Sequence, residues 1–400
     1  MVQMSKIVVI NGPNLNLLGS REPEVYGSTT LAELETEVVE WGTERGLDID
    51  VFQSNHEGRV IDRLHEAGAK ADGVVLNPGA FTHYSYAIHD AIAAIEIPTV
   101  EVHISNVMAR EEWRRRSVVR PACVYTIFGR GIRGYRDALE HLVWRDASPP
   151  LTVAYGAESD QVADLRVPTG NGPHPVAIVL HGGLWRDIWT RDLTDGVAAD
   201  LASHGWASWN TEYRRVGTGG GWPASVEDVE AAIDALAGIA KEHNLDLSQV
   251  IAVGHSAGGQ LALAAAKRQS LVGVDVGSQV PIAGVIAVAP MADLESATSR
   301  RIGAERISDF LRDSDGEATP YTEASPAAMV PLGVPQVVIH GSGDDLVPAD
   351  LSASYSAAAA DAGDTIVYHE PAGADHYDLF HANSETRRLV LAELKRLQSE

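Results

Sequence analysis

A serine hydroxyl becomes a nucleophile only beside a base that takes its proton and an acid that orients the base. In this chain Gly254-His255-Ser256-Ala257-Gly258 places Ser256 between the apolar run Val250–Val253 and the helical run Gly259–Ala264. That strand–turn–helix order exposes the hydroxyl at a helix N-terminus. His340-Gly341-Ser342-Gly343-Asp344-Asp345 follows a predicted strand and offers two candidate acids, Asp344 and Asp345. Gly373-Ala374-Asp375-His376-Tyr377 follows the next strand and offers His376 as the base. The other histidines are poorer bases: His369 falls inside a strand, His381 on the approach to the last helix, and His340 before the acid. His181-Gly182-Gly183-Leu184-Trp185 follows a strand as well, and its glycines let backbone N–H groups approach a developing oxyanion. The expected donors are Gly183 or Leu184, with Ala257, the residue after the nucleophile.

A second set lies in the first third of the chain, where polar residues follow each predicted strand. These are Asn11-Gly12-Pro13-Asn14 with Arg21 and Tyr26, then Asn77-Pro78-Gly79-Ala80-Phe81-Thr82-His83, then Glu101-Val102-His103-Ile104-Ser105-Asn106 with Arg110 and Arg114. Tyr, His, Asn and Arg side chains beside a glycine-rich backbone suit acid–base work on a small, anionic, polyhydroxylated substrate.

The elements that must position these groups alternate strand and helix. Strands are predicted at Lys6–Ile10, Ile49–Gln53, Gly73–Asn77, Thr99–His103 and Val124–Phe128, with helices at 30–45, 59–69, 84–94 and 136–143 between and after them. The order implies a parallel sheet covered on both faces, with ligands at the carboxyl ends of its strands. Ala147-Ser148-Pro149-Pro150 is read as a linker at 147–150, separating a domain over 1–146 from a second αβ series over 151–400. In that series strands are predicted at 176–180, 206–209, 250–253, 285–289, 336–340 and 366–369, with helices at 225–241, 258–268, 349–362 and 385–397. Met291–Pro331 breaks the rhythm and is read as a cap.

The first 146 residues resemble the type II 3-dehydroquinate dehydratases. The likeness rests on I-N-G-P-N-L-N-L-L-G (10–19), R-E-P-x-x-Y-G (21–27), Q-S-N-H-E-G (53–58), N-P-G-A-F-T-H (77–83) and E-V-H-I-S-N (101–106). It implies a flavodoxin-like fold, dehydration of 3-dehydroquinate to 3-dehydroshikimate, no cofactor and no metal, and assembly into trimers and a dodecamer. Residue by residue it makes Tyr26 the base, Arg21 the guanidinium that favours its phenolate, Asn14 the holder of a water against the enolate oxygen, and His103 the acid. It makes Asn77, His83, Ile104, Ser105 and Arg114 substrate contacts, Asp90 a residue that reaches a neighbouring subunit's site, and Glu101 and Arg110 groups that orient the catalytic ones. Met108 and His89 depart from the residues common in the family, His and Arg, and flank the site.

The remainder resembles α/β-hydrolases of the esterase and kynurenine formamidase group, through H-G-G-L-W (181–185), N-T-E-Y-R-R (210–215), W-P-A-S-V-E-D-V (222–229), G-H-S-A-G-G (254–259) and D-H-Y-D (375–378). The likeness implies a serine hydrolase and puts Asp344 at the family position for the acid, with Asp345 as the alternative. The fusion leads to the expectation that both sites serve one route, through a hydroxycinnamoyl ester of quinate or shikimate. An arylformamidase is the alternative, and so is a chain in which one domain is a silent oligomeric scaffold.

Gly129-Arg130-Gly131-Ile132-Arg133-Gly134 fits a dinucleotide fingerprint but follows the last strand of its domain. No further strand carries the acidic residue expected ~20 residues on, so helix–sheet packing is its expected role. Lys6 and Lys70, the only lysines before residue 147, fall away from the rim, which argues against Schiff-base chemistry. The chain of 400 residues carries 55 Asp plus Glu against 31 Lys plus Arg, a formal charge of −24. That surface repels nucleic acid and anionic lipid. The single cysteine, Cys123, read as a buried strand residue, permits no intramolecular disulfide, and no apolar run approaches the ~20 residues of a membrane span. A cytoplasmic location is expected.

Overall fold

A computed structural model describes residues 5–21, 27–107, 110–267, 280–312, 320–381 and 384–399. The chain divides into two compact units, Met1–Asp146 and Ala147–Glu400.

The first unit is a five-stranded sheet in the order β2-β1-β3-β4-β5, built from β1 (Lys6–Asn11), β2 (Asp48–Gln53), β3 (Gly73–Asn77), β4 (Thr99–His103) and β5 (Tyr125–Phe128). Every pairing is parallel. This is the flavodoxin-like order, whose switch point lies between β1 and β3. The three inner strands are buried on both faces, which is why β1 and β3 read as continuous apolar runs. Alternation divides them between two cores. Ile7, Val9, Val75, Val100 and Val102 pack on α1 (Leu31–Glu44) and α4 (Arg133–Ala147). Val8, Ile10, Val74 and Leu76 pack on α2 (Glu57–Lys70) and α3 (Tyr86–Ala94). Helix α1 begins at a capping box, with Thr30 and Glu33 each accepting from the other's backbone N–H.

Three details differ from the sequence reading. The strand expected from Val124 starts at Tyr125, and Cys123 instead closes a short turn over Arg120–Ala122, buried with its thiol toward the Val119 carbonyl at 3.7 Å. The helix expected from Tyr84 starts at Tyr86, because the polypeptide first makes a tight turn over Gly79–His83. The last helix of the unit is longer than expected, running Arg133–Ala147.

The second unit holds an eight-stranded sheet in the order β13-β12-β11-β10-β8-β9-β7-β6. Its strands are β6 (Leu151–Ala154), β7 (Val162–Arg166), β8 (His174–Leu180), β9 (Ala207–Thr211), β10 (Leu245–His255), β11 (Gly284–Val288), β12 (Gln336–Ile339) and β13 (Ile366–His369). Only the β6–β7 and β7–β9 pairings are antiparallel. Its helices include α5 (Asp195–Ser203), α6 (Ala224–Ile239), α7 (Ala257–Lys267), α8 (Leu294–Ser299), α9 (Ala304–Phe310), α10 (Ala349–Asp361) and α11 (Glu385–Gln398). Of the segment read as a linker, Ala147 ends α4. Ser148 is tied to the second unit: its carbonyl accepts from Arg166 Nη1 at 2.5 Å and its hydroxyl donates to the Val167 carbonyl at 2.9 Å. Arg166 is itself fully buried and paired with Asp195 at 2.6 Å.

Gly12 marks the switch point. Its N–H donates to the Asn77 carbonyl at 2.7 Å, and a Cβ placed on it would lie 2.7 Å from the Pro78 carbonyl oxygen. The neighbour is backbone, so it cannot swing aside. Gly12→Ala is therefore expected to cost ~1–3 kcal/mol of stability, read as faster hydrogen exchange of the β1 and β3 amides. Unchanged exchange would contradict the close approach.

Candidate active sites

The carboxyl ends of β1, β3 and β4 open onto one cleft, lined by Pro13, Asn14, Leu15, Leu18, Arg21, Asn77, Gly79, Ala80, His83, His103, Ile104, Ser105, Val107, Arg110 and Arg114. Every expected catalytic and substrate-contact residue of this unit among the described ones is in that lining except Asp90. The Asp90 side chain is 82% exposed and pairs with His89 at 3.1 Å. Tyr26 and Met108 lie outside the described residues.

Buried hydrogen bonds fix the cleft's side chains. Asn77 Nδ2 donates to the Tyr135 hydroxyl at 2.9 Å, which donates to Asn11 Oδ1 at 2.6 Å, while Asn77 Oδ1 accepts from the Gly79 N–H at 3.2 Å. The Asn77 amide is thereby oriented, with one N–H left for the cleft. His103 donates from Nε2 to Glu101 Oε1 at 2.7 Å. Glu101 is fully buried and also accepts from Thr82 and Ser117. Burial alone would raise its pKa; the charge and hydrogen bond of His103, with the two hydroxyls, outweigh that and hold it below the usual range. His83 packs edge-on against Trp113 and shares a hydrogen bond between Nδ1 and the Arg116 carbonyl at 2.8 Å; burial lowers its pKa. The Arg114 guanidinium lies 4.0 Å from the Trp113 ring centre.

The glycine-rich run after β5 has another task. The Gly129 N–H donates to the carbonyls of His103 and Ser105 at 3.2 and 3.1 Å, and the Gly131 N–H to that of Ile104 at 3.0 Å. These amides hold the loop after β4 rather than facing an open phosphate site.

In the second unit Ser256 follows β10 with φ +54°, the turn that lifts the side chain off the sheet. A Cβ on Gly258 would lie 2.5 Å from the carbonyl oxygens of Leu180 and His181, so only glycine lets α7 come so close to β8. His376 Nε2 accepts from the Ser256 hydroxyl at 3.1 Å, and His376 Nδ1 donates to Asp344 Oδ2 at 2.6 Å. Asp345 is exposed, and His369 is paired with Glu393 at 2.8 Å.

Two further histidines serve this array, and the sequence reading gave neither a role. His340 Nε2 donates to Asp344 Oδ2 at 3.0 Å and to the Val347 carbonyl at 2.8 Å, and its Nδ1 accepts from Ser352 at 2.7 Å. Both partners of Nε2 only accept, so the proton is on that nitrogen. The N–H groups of Leu346 and Val347 bind the other Asp344 oxygen at 2.9 and 2.8 Å. Burial raises the Asp344 pKa, but the bonds from His340 and His376 outweigh it and hold the carboxyl well below its usual range. His255 donates from Nε2 to the His376 carbonyl at 2.7 Å. Burial and the neighbouring His376 push its pKa down to about 3, so the ring stays neutral.

The oxyanion-type loop is held from below. His181 Nε2 donates to Glu212 Oε1 at 2.8 Å, the Tyr213 hydroxyl donates to the His181 carbonyl at 2.6 Å, and Glu212 also accepts from Arg215 and the Arg191 N–H. Ala257 opens α7, and the first N–H groups of a helix have no intrahelical acceptor.

A model of the class II dehydroquinases matches residues 5–143. The 3-dehydroquinate dehydratase of Caldicellulosiruptor saccharolyticus is 59% identical over 137 residues, 34% of this chain and 94% of that protein. The chain belongs to the class II dehydroquinase family. The catabolic 3-dehydroquinase of Talaromyces marneffei is 53% identical over 138 residues, 34% of this chain and 79% of that protein. This dehydroquinase carries a second folded unit after the family's domain. A model named BD-FAE matches residues 163–358. The phosphonate-inhibited esterase B of Lactobacillus rhamnosis superposes with a TM-score of 0.56 at 20% identity, covering 66% of this chain and 92% of that one. The second unit has the α/β-hydrolase fold.

Of the residues around the two sites of this dehydroquinase, Tyr135 gave no signal, because it sits in the first turn of α4, just before the helix expected over 136–143. Glu212 stood in a quoted motif without a role. Its pKa is pulled from 4.5 to about 2: burial opposes ionisation, and His181 and Arg215 overcome it. A lowered pKa contributes stability that is present above about 4.5 and fades as pH falls to about 2. Glu212→Gln breaks a buried pair and is expected to cost ~3–5 kcal/mol near neutral pH. The gap from wild type should close between pH 4.5 and 2 in denaturation of the second unit; a gap independent of pH would contradict an ionised Glu212.

Proposed function

We propose that dehydration in the first unit runs on Tyr26 as base, Arg21 as its activating cation and His103 as acid. Tyr26 removes a proton beside the ketone of 3-dehydroquinate, giving an enolate whose oxygen meets a water held by Asn14. His103 protonates the departing hydroxyl, and water leaves. The cleft supports this reading: Arg21, Asn14 and His103 line it together, and Glu101 fixes the His103 ring through Nε2, leaving Nδ1 for the leaving group. Asn77, His83, Ile104, Ser105 and Arg114 grip the carboxylate and hydroxyls. Asp90, exposed on α3, reaches the site of a neighbouring copy in a trimer-based assembly. Tyr26→Phe should lower the dehydration kcat by ~10³ while leaving assembly by light scattering unchanged; retained dehydration would remove Tyr26 from the mechanism.

For the second unit we propose acyl transfer to Ser256. His376 takes the Ser256 proton as the hydroxyl attacks the ester carbonyl, and Asp344 stabilises the imidazolium. The N–H groups of Ala257 and of Gly183 or Leu184 receive the oxyanion. Collapse expels the alcohol, protonated by His376, and water then releases the acid by the same steps. The observation that carries this is the unbroken Ser256–His376–Asp344 chain at 3.1 and 2.6 Å. The substrate we propose is a hydroxycinnamoyl ester of quinate or shikimate, cleaved in the cytoplasm, because the same polypeptide acts on a ring of that class. Purified protein should release caffeate from a caffeoyl-quinate ester, and Ser256→Ala should lower that rate by ~10⁶. Release of formate from N-formylkynurenine, with the ester untouched, would shift the assignment to an arylformamidase.

A further inference from the structure

The oxyanion-type loop takes an unusual path. Gly183, Leu184 and Trp185 have φ of +114°, +54° and +55°, so two residues with side chains stand in succession in the left-handed region. Such a turn persists only where its surroundings over-determine it. Here the hold is Trp185. Its ring is fully buried and stacks on Phe310 of α9 with centroids 4.2 Å apart. Its Nε1–H donates to Gln260 Oε1 at 3.1 Å.

Gln260 is fully buried on α7, and its own N–H donates to the Ser256 carbonyl at 3.2 Å, one turn from the nucleophile. Its Nε2 donates to the Ala324 carbonyl at 2.8 Å. Ala324 lies in the segment between β11 and β12, and the next residue pins that segment: Ser325 Oγ donates to the Ala292 carbonyl at 3.2 Å and accepts from the Leu294 N–H at 3.1 Å. One amide thus joins the loop carrying Gly183 and Leu184, the helix carrying Ala257, and the cap segment.

We propose that Gln260 and Trp185 are positioning residues that hold the two halves of the oxyanion hole in register, resting on the reading of the second unit as a serine hydrolase. The transition state needs both sets of N–H groups aimed at one oxygen, whereas substrate binding does not. Loss of the bridge therefore lowers kcat and spares KM. Gln260→Met keeps the length of the side chain without its amide, and Trp185→Phe keeps the stack on Phe310 without the N–H.

The test is a double-mutant cycle on the full chain with p-nitrophenyl acetate, beside Ser256→Ala. Each single variant should lose ~10-fold in kcat with KM within about twofold. The double variant should be no worse than Gln260→Met alone, because the bond that Trp185→Phe removes is already lost in Gln260→Met, which also removes the bond to Ala324. A single variant with kcat within about twofold of wild type overturns the proposal, as do losses that multiply in the double variant. Wild-type hydrolysis equal to that of Ser256→Ala would instead overturn the hydrolase reading itself.

Discussion

A parallel strand cannot return to its neighbour through a tight turn; it must cross back through a longer connection, here most often a helix. All strand ends of one polarity therefore collect at one edge of the sheet, and the loops there cannot be spent on short hairpins. Both units obey this constraint. Gly12, Asn77 and His103 end or follow β1, β3 and β4, and Ser256, Asp344 and His376 follow β10, β12 and β13. Residues far apart in sequence meet because strand order, not chain order, decides which loops are neighbours. The oxyanion-type loop follows β8, which pairs directly with β10, so the loop at Gly183 and Leu184 and the turn at Ser256 leave neighbouring strands.

Both units also use a buried carboxylate to fix a histidine. Glu101 holds His103, Glu212 holds His181, and Asp344 holds both His376 and His340. Burying a charge is costly unless it is paired and hydrogen-bonded. Each of these acids accepts from at least three groups, which is why each stays ionised inside the protein. The gain is orientation: a histidine held through one nitrogen presents the other in a single direction. In the triad the arrangement extends outward, with Ser352 behind His340 and His255 bracing the His376 backbone.

The sequence was most legible where both faces of an element were buried or where chemistry demanded a fixed spacing. Strands β1 and β3 could be read almost to the residue because their apolar runs have no polar face, and β4 because Val100 and Val102 alternate with Thr99, Glu101 and His103. The edge strand β6 and its neighbour β7 were missed: Leu151–Ala154 is mostly exposed and carries no run. Helix α5 was missed because Asp195–Ala202 is buried all round by small residues, leaving no stripe for periodicity to find. Ser256 and His376 could be named from local motifs. His340 looked only like a weak base, since nothing in its neighbours reveals that it donates to the acid. Tyr135 was silent, because its role comes from a helix packing across the switch point.

The central claim is that one polypeptide holds two separate sites, a dehydratase cleft and a serine hydrolase triad. The most direct measurement is reaction of the full chain with an alkyl phosphonate of the kind that traps serine hydrolases, followed by peptide mass spectrometry and a dehydration assay on the same sample. The account predicts one adduct per chain, on Ser256, with conversion of 3-dehydroquinate unchanged. No adduct on Ser256, or an adduct that abolishes dehydration, would contradict it.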